Sequence, residues 1–148
     1  MSVEILEFTD ADYDEVLALW QRSEGVGLSD ADSRTNIERY LERNPGMSFV
    51  ARSKSSLMGA VLAGHDGRRG YLHHLAVDAS ARRQGIGGRL VEASLAALKD
   101  AGMQKCHLFI FNKNESGLSF WKSEGWEQRG DICIVSKEIA GNGTKCPC

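Results

Sequence analysis

Between Leu75 and Leu90 the chain runs through an apolar Leu75-Ala76-Val77, a short loop, and then Arg82-Arg83-Gln84-Gly85-Ile86-Gly87-Gly88-Arg89-Leu90. A strand-like run that feeds a glycine-rich turn and then a helix leaves few architectures open. It joins a sheet to a helix through main chain that other atoms can approach closely. Gly85, Gly87 and Gly88 lack a Cβ, so a ligand can reach the backbone there. The first N–H groups of a helix have no partner inside it, and the helix dipole adds partial positive charge, a combination suited to phosphate. Arg82, Arg83 and Arg89 supply formal charge beside them. The competing reading is a glycine turn that only starts a helix. No G-x-x-x-x-G-K-[ST] occurs and no G-x-G-x-x-G follows an N-terminal strand, so neither a P-loop nor a dinucleotide fold is indicated.

The rest of the chain supplies a sheet for this unit. Val3 to Phe8 alternates and predicts a first strand. Asp10 can cap a helix carrying Val16, Leu17, Leu19 and Trp20, which Gly25-Val26-Gly27 ends. Asp32 or Ser33 can cap a second helix with Ile37, Tyr40 and Leu41, stopped by Asn44-Pro45-Gly46. Met47 to Arg52, Leu57 to Ala63 and Tyr71 to Val77 read as strands separated by turns. After the glycine-rich turn, Leu90, Val91, Leu95 and Leu98 share one helix face, with Gly102 as the stop signal. Lys105 to Phe111 reads as a strand, Ser116 to Ser123 as a short helix and Ile132 to Ile139 as a last strand, with a further short strand near Trp126 left open. This order predicts an α/β (α+β) fold, a mixed sheet with helices on both faces. One domain over residues 1–140 is expected, with 141–148 as a flexible tail.

A length of 148 residues suits one ordinary domain, and no run of about 18 apolar residues is present to span a membrane. The formal net charge of −2 and the dispersed basic residues argue against nucleic acid as a partner. The start, Met1-Ser2-Val3-Glu4, carries no basic and apolar leader, so the expected location is cytoplasmic. Of four cysteines, Cys106 and Cys133 fall in apolar runs and read as reduced core thiols. Cys146 and Cys148 flank Pro147 without a second ligand pair at metal-binding spacing, so no metal is expected.

Arg82-x-x-Gly85-x-Gly87 resembles the [RQ]-x-x-G-x-[GA] signature of the GNAT superfamily of N-acetyltransferases. Leu75-Ala76-Val77 resembles that family's fourth strand. Asn114, with Phe120-Trp121-Lys122-Ser123-Glu124-Gly125-Trp126, resembles its N-x-x-[AS]-x-x-[FL]-[YW]-x-x-x-G-[FW] block. The stretch from Gly64 to His74 is similar to small stand-alone bacterial members of the YpeA type. The resemblance covers the chain from Val3 to about Ile139.

The resemblance implies a GNAT-like, mostly antiparallel sheet, splayed between its fourth and fifth strands. It implies acetyl-CoA as acyl donor and an amine acceptor, either a small molecule or a protein amine. The pantetheine arm would bond to Leu75 and Val77 alongside Ala76. The pyrophosphate would sit on the amides of Arg83 to Gly88, that is Arg83, Gln84, Gly85, Ile86, Gly87 and Gly88, with Arg82 and Arg89 beside them. Asn114 would contact the cofactor arm, and Phe120 and Trp121 would pack along it. The amine would attack the thioester directly in a ternary complex, with the Val77 backbone N–H as oxyanion donor. His73 is the candidate base, placed like a histidine of arylalkylamine N-acetyltransferases; a strand histidine bonded to nearby backbone is the alternative. Strand alternation would send His74 to the opposite face, against a helix. Where many members carry an acidic tyrosine this chain has Trp121, whose indole has an N–H but no usable acidity. The loop between the first two helices would shape the acceptor site through Glu24, Asp30 and Asp32, each with an ordinary surface or capping alternative. A CoA-binding module without catalytic activity stays open beside the transferase, as do a monomer and a homodimer.

Overall fold

The computed structural model describes residues 2–140. Five strands form one sheet in the order β1 (Glu4–Glu7), β2 (Phe49–Ser53), β3 (Ser56–His65), β4 (Gly70–Val77) and β5 (Cys106–Leu108). Neighbours are antiparallel except β4 and β5, which run parallel. Four α-helices accompany them: α1 (Tyr13–Gln21), α2 (Arg34–Arg43), α3 (Ile86–Asp100) and α4 (Glu115–Ser123).

The sheet divides the core in two. On one face Val16, Leu19 and Trp20 of α1 and Ile37 of α2 pack against Val50, Ala60, Leu62 and Ala76. On the other, Ile86, Leu90, Val91 and Leu98 of α3 cover Ala51, Val61, Ala63 and Leu72. β3 is the middle strand, buried on both faces from Gly59 to Gly64, which explains its run of small and branched apolar residues. Arg52 on β2 ties the sheet to α1, bonding Asp12 at 2.7 Å and Glu15 at 2.8 Å.

Helix ends follow their local chemistry. Ser33, not Asp32, caps α2, accepting from the Asn36 N–H. Asp32 instead closes a 3-10 turn over Asp30–Asp32, with Oδ2 accepting from the Ser29 N–H at 3.1 Å. Gly102 ends α3 at φ +94°, and Gly125 ends α4 at φ +90° with Trp126 N–H reaching back to Trp121 O.

Two expectations fail at the C-terminal side. β5 covers only Cys106–Leu108 of the run expected from Lys105 to Phe111. The last strand expected over Ile132–Ile139 is absent, and no strand forms near Trp126. Ile132, Ile134, Val135 and Ile139 are 58–94% exposed, and Cys133 is exposed rather than a core thiol. A strand exists only where a neighbour completes its ladder, and among the described residues nothing pairs with this segment. The expected tail at 141–148, with Cys146 and Cys148, lies outside the described residues. No described helix is long and apolar enough to cross a membrane.

Candidate active site

The site begins where β4 and β5 part. Their pairing runs Gly70↔Cys106, Tyr71↔His107 and Leu72↔Leu108, and stops there. β4 continues to Val77 on its β3 side alone, so the backbone from His73 onward faces an opening. This is the splay expected between the fourth and fifth strands.

At the mouth of the opening β4 carries an extra residue. The register passes from Leu62↔His73 to Ala60↔Ala76, two steps on β3 against three on β4. His74 absorbs the difference at φ +54°. This is a β-bulge with a non-glycine residue in the left-handed region, which costs about 1–2 kcal/mol for an L-residue. The expectation that alternation separates the two histidines is therefore corrected. Leu72, Leu75 and Val77 face the α3 side, while His73 and His74 both face α1 and α2.

The two rings have different surroundings. His73 lies 6.0 Å from the Tyr40 ring, 6.4 Å from Tyr71 and 6.3 Å from Phe109. Burial, then the charge of His74, hold its pKa below the usual histidine value, with Asp32 pulling the other way. His74 packs edge-on against Trp20 at 5.1 Å, and the Trp20 indole N–H donates to His74 O at 3.0 Å. His74 Nε2 lies 2.9 Å from Asp32 Oδ1, with side-chain exposures of 14% and 10%. The Tyr13 hydroxyl donates to Asp32 O at 2.7 Å. Asp32, expected as a cap or an acceptor contact, thus caps its own turn and holds His74. The sequence reading missed this pair. Its one visible signal was the capping pattern Ser29-x-x-Asp32, which fixes the carboxylate in the turn.

The far end of β4 leads into the glycine-rich start of α3, where the anion cradle was expected. Gly85 sits at φ +76° as the N-cap of α3, a position that favours glycine, and contributes no side-chain cap. The first bond of α3 runs from Arg89 N to Gly85 O, so the amides of Ile86, Gly87 and Gly88 precede the helical ladder. α4 crosses this helix start closely. A Cβ on Gly87 would lie 3.3 Å from Phe120, and one on Gly88 would lie 3.1 Å from Glu124 Oε1. Arg82, Arg83 and Gln84 are exposed, and the Arg82 Nε–H donates to Val77 O at 3.3 Å. Arg89 goes elsewhere, its guanidinium donating to Val3 O beside the opposite edge strand.

Asn114 caps α4, its Oδ1 accepting from the Gly117 N–H at 2.9 Å. Its amide nitrogen abuts the α1–α2 loop at Gly25. Glu24, Gly25 and the segment Phe111–Ser116 line a cleft of about 570 Å³. Trp121 packs between Phe120 and Trp126, each ring 5.0 Å away. Asp30 lies in the same loop, its carbonyl accepting from Asn36 Nδ2. Cys106 is half-buried, and burial pushes its thiol up to about 11, which leaves it protonated and unreactive near neutral pH. The described residues contain no cluster of three metal-ligating side chains.

A parallel pair that opens midway, leading to an uncapped helix start, defines a class of α/β transferases that seat a phosphate-bearing carrier across a split sheet. The chain belongs to the Acetyltransferase (GNAT) family, whose model matches residues 13–126. With the family comes its acyl donor, acetyl-CoA, and the residues at the start of α3 have the chemistry to hold it: amides that precede the helical ladder, Gly85, Gly87 and Gly88 without Cβ atoms, and the exposed Arg82 and Arg83. Among curated relatives, an acetyltransferase of Pectobacterium atrosepticum is 29% identical over 93% of this chain and 96% of its own length. One from Sodalis glossinidius is 27% identical over the same shares. Solved structures share the fold. The Ard1 protein of Thermoplasma volcanium superposes at a TM-score of 0.74 with 22% identity, covering 84% of this chain and 82% of that one. The PaiA N-acetyltransferase of Thermoplasma acidophilum, solved with coenzyme A, gives 0.76 with 18% identity, covering 89% and 94%.

Proposed function

We propose that the chain moves an acetyl group from acetyl-CoA to an amine by direct attack within a ternary complex. The observation that carries this reading is the continuity of the opened β4 edge with the uncapped start of α3. Leu75, Ala76 and Val77 offer backbone to the pantetheine arm. The amides of Arg83 to Gly88 take the pyrophosphate, with Arg82 at the rim. The Val77 N–H is the oxyanion donor; one such donor contributes on the order of 3 kcal/mol of barrier lowering. Phe120, Trp121 and Asn114 border the carrier from α4. The amine enters from the side of Glu24 and Asp30, and a histidine at the mouth, His73 or its neighbour, takes its proton. Trp121 packs rather than acts as an acid.

Acetyl-CoA at millimolar concentration raises the melting temperature by mass action. Thiol release follows on adding a suitable member of a panel of amines, from polyamines and aminoglycosides to peptide N-termini. Absence of any thermal shift would sink acetyl-CoA binding. A shift without thiol release across the panel would favour a CoA-binding module.

We infer also that the working species is a homodimer. β5 is an edge strand with Phe109 half exposed beyond it, and a groove of about 380 Å³ runs beside it, with Leu95, Leu98, Met103 and Cys106 lining it together with Lys99, Gln104 and Lys105. The segment 131–139, apolar from Ile132 to Val135, pairs with nothing among the described residues. Two copies can satisfy each other, segment against edge. Light scattering on the whole chain and on Ile134→Lys reads this. A monomer at micromolar concentration for the unmodified chain would overturn it.

A further inference from the structure

We propose that His74, oriented by Asp32, is the base that accepts the amine proton, with Asp32 as its positioning residue. The proposal rests on the acetyl-transfer reading above and decides between the two histidines at the mouth.

Four observations carry it. First, the bulge puts the His74 ring on the acceptor side of β4, two residues past the last β4–β5 pair. A regular strand would have turned that ring toward α3. The left-handed backbone is held by the Trp20 indole bond to His74 O, so the unfavourable conformation is maintained by a dedicated contact. Second, Asp32 is fixed before it meets the imidazole. Its Oδ2 is engaged by the Ser29 N–H and its carbonyl by the Tyr13 hydroxyl, leaving Oδ1 for Nε2. A carboxylate only accepts, so Nε2 carries the hydrogen and Nδ1 keeps the lone pair.

Third, that Nδ1 is available. Among the described residues it has no hydrogen-bond partner, and no fully buried side-chain nitrogen or oxygen is left unpaired, so Nδ1 is not sealed inside the core, and the His74 side chain keeps 14% of its surface exposed. Fourth, His73 lacks what a base requires. It sits among Tyr40, Tyr71 and Phe109 with no carboxylate bonded to it, and the same Asp32 that bonds His74 acts on His73 only through space. The titratable and charged groups near His74 are Asp32, His73 on its own strand, Tyr13 from α1, and Arg34 from α2, which stacks on Tyr13 at 4.8 Å.

The proton balance closes. An ammonium acceptor gives one proton to His74 Nδ1, and the imidazolium is stabilised by Asp32 and returns that proton to solvent. The free amine nitrogen attacks the thioester carbonyl. As the C–N bond forms and the C–S bond breaks, a second nitrogen proton goes to the departing thiolate. The products are an amide carrying one N–H, free CoA thiol and one proton in solution.

The test compares His74→Gln and Asp32→Asn with the unmodified chain, following thiol release with an accepted amine from pH 6 to 10. Glutamine keeps an N–H for Asp32 but has no basic lone pair, so a purely structural histidine is rescued by it. The expected result is a fall in kcat of about 100-fold for His74→Gln at pH 7 and about tenfold for Asp32→Asn. KM for acetyl-CoA should stay within about twofold, and the deficit should shrink toward pH 10 as the amine deprotonates without help. Activity of His74→Gln within threefold of the unmodified chain at pH 7 overturns the proposal, as does a larger loss in His73→Ala. Loss of acetyl-CoA thermal stabilisation in His74→Gln also overturns it, since the residue would then serve binding. If the unmodified chain binds acetyl-CoA but acetylates no amine, the transfer reading itself fails, and the dyad with it.

Discussion

Replacing Trp20 by phenylalanine removes the indole N–H that donates to the His74 carbonyl at the bulge. Trp20 is fully buried in the core between α1 and the sheet. The lost bond leaves a partly buried carbonyl without its donor, worth about 1–2 kcal/mol. The smaller ring adds a packing loss below the 3–5 kcal/mol of full truncation, again about 1–2 kcal/mol. The sum is about 3 kcal/mol. At about 2.1 cal/mol/K of unfolding entropy per residue, 148 residues convert that to a melting point about 10 °C lower. A second readout separates the bulge from general loosening. Leu19→Ala, in the same helix and as deeply buried, costs about as much by packing alone but leaves His74 O bonded. Trp20→Phe should therefore lose kcat for amine acetylation about tenfold, whereas Leu19→Ala should lose melting temperature and keep kcat near the unmodified value. Differential scanning fluorimetry and the thiol-release assay give both numbers. A Trp20→Phe melting point within 2 °C of the original, or equal kcat values for the two variants, refutes the reasoning that the indole bond maintains a catalytically useful bulge.

Gly87→Val places branched carbons against Phe120, whose ring lies 3.3 Å from where the first carbon would go, and screens the amides below. Acetyl-CoA affinity should weaken on the order of tenfold, about 1.4 kcal/mol, read as a smaller thermal shift at fixed ligand. Gly85→Ala forces an L-residue to φ +76° and should cost about 1 kcal/mol, or about 3 °C in melting temperature. His73 binds protons less readily folded than unfolded, because burial disfavours its charge. Between its lowered folded pKa and about 6.5 the unfolded chain holds the extra proton, so stability rises with pH through that window and is flat above it. His73→Phe should remove this part of the pH dependence, as measured by denaturant midpoints at pH 5 and pH 8.

The glycine-rich turn and the helices around it were legible because their determinants are local. Glycines at 85, 87 and 88, the α3 stripe and the stops at Gly102 and Gly125 each act within a turn or two, and each forms as its residues predict. What escaped depends on pairing between distant segments. Nothing in His73-His74 announces a bulge: histidine tolerates the left-handed region better than most residues, and the extra step appears only when β4 is laid against β3. One inserted residue reverses the face of a side chain. The alternation argument separated His74 from His73, whereas the bulge keeps both rings on one face; His74 does pack against a helix, on Trp20 of α1. The C-terminal segment shows the converse. Ile132 to Ile139 opens on four apolar residues and reads as a strand, but a strand requires a neighbour, and among the described residues it has none. In one case a local pattern was overridden by a distant register; in the other it has no neighbour among the described residues to complete it. Both sit beside the parallel pair that opens, where the sheet's hydrogen-bond ladder is incomplete and its backbone is free to meet something other than itself.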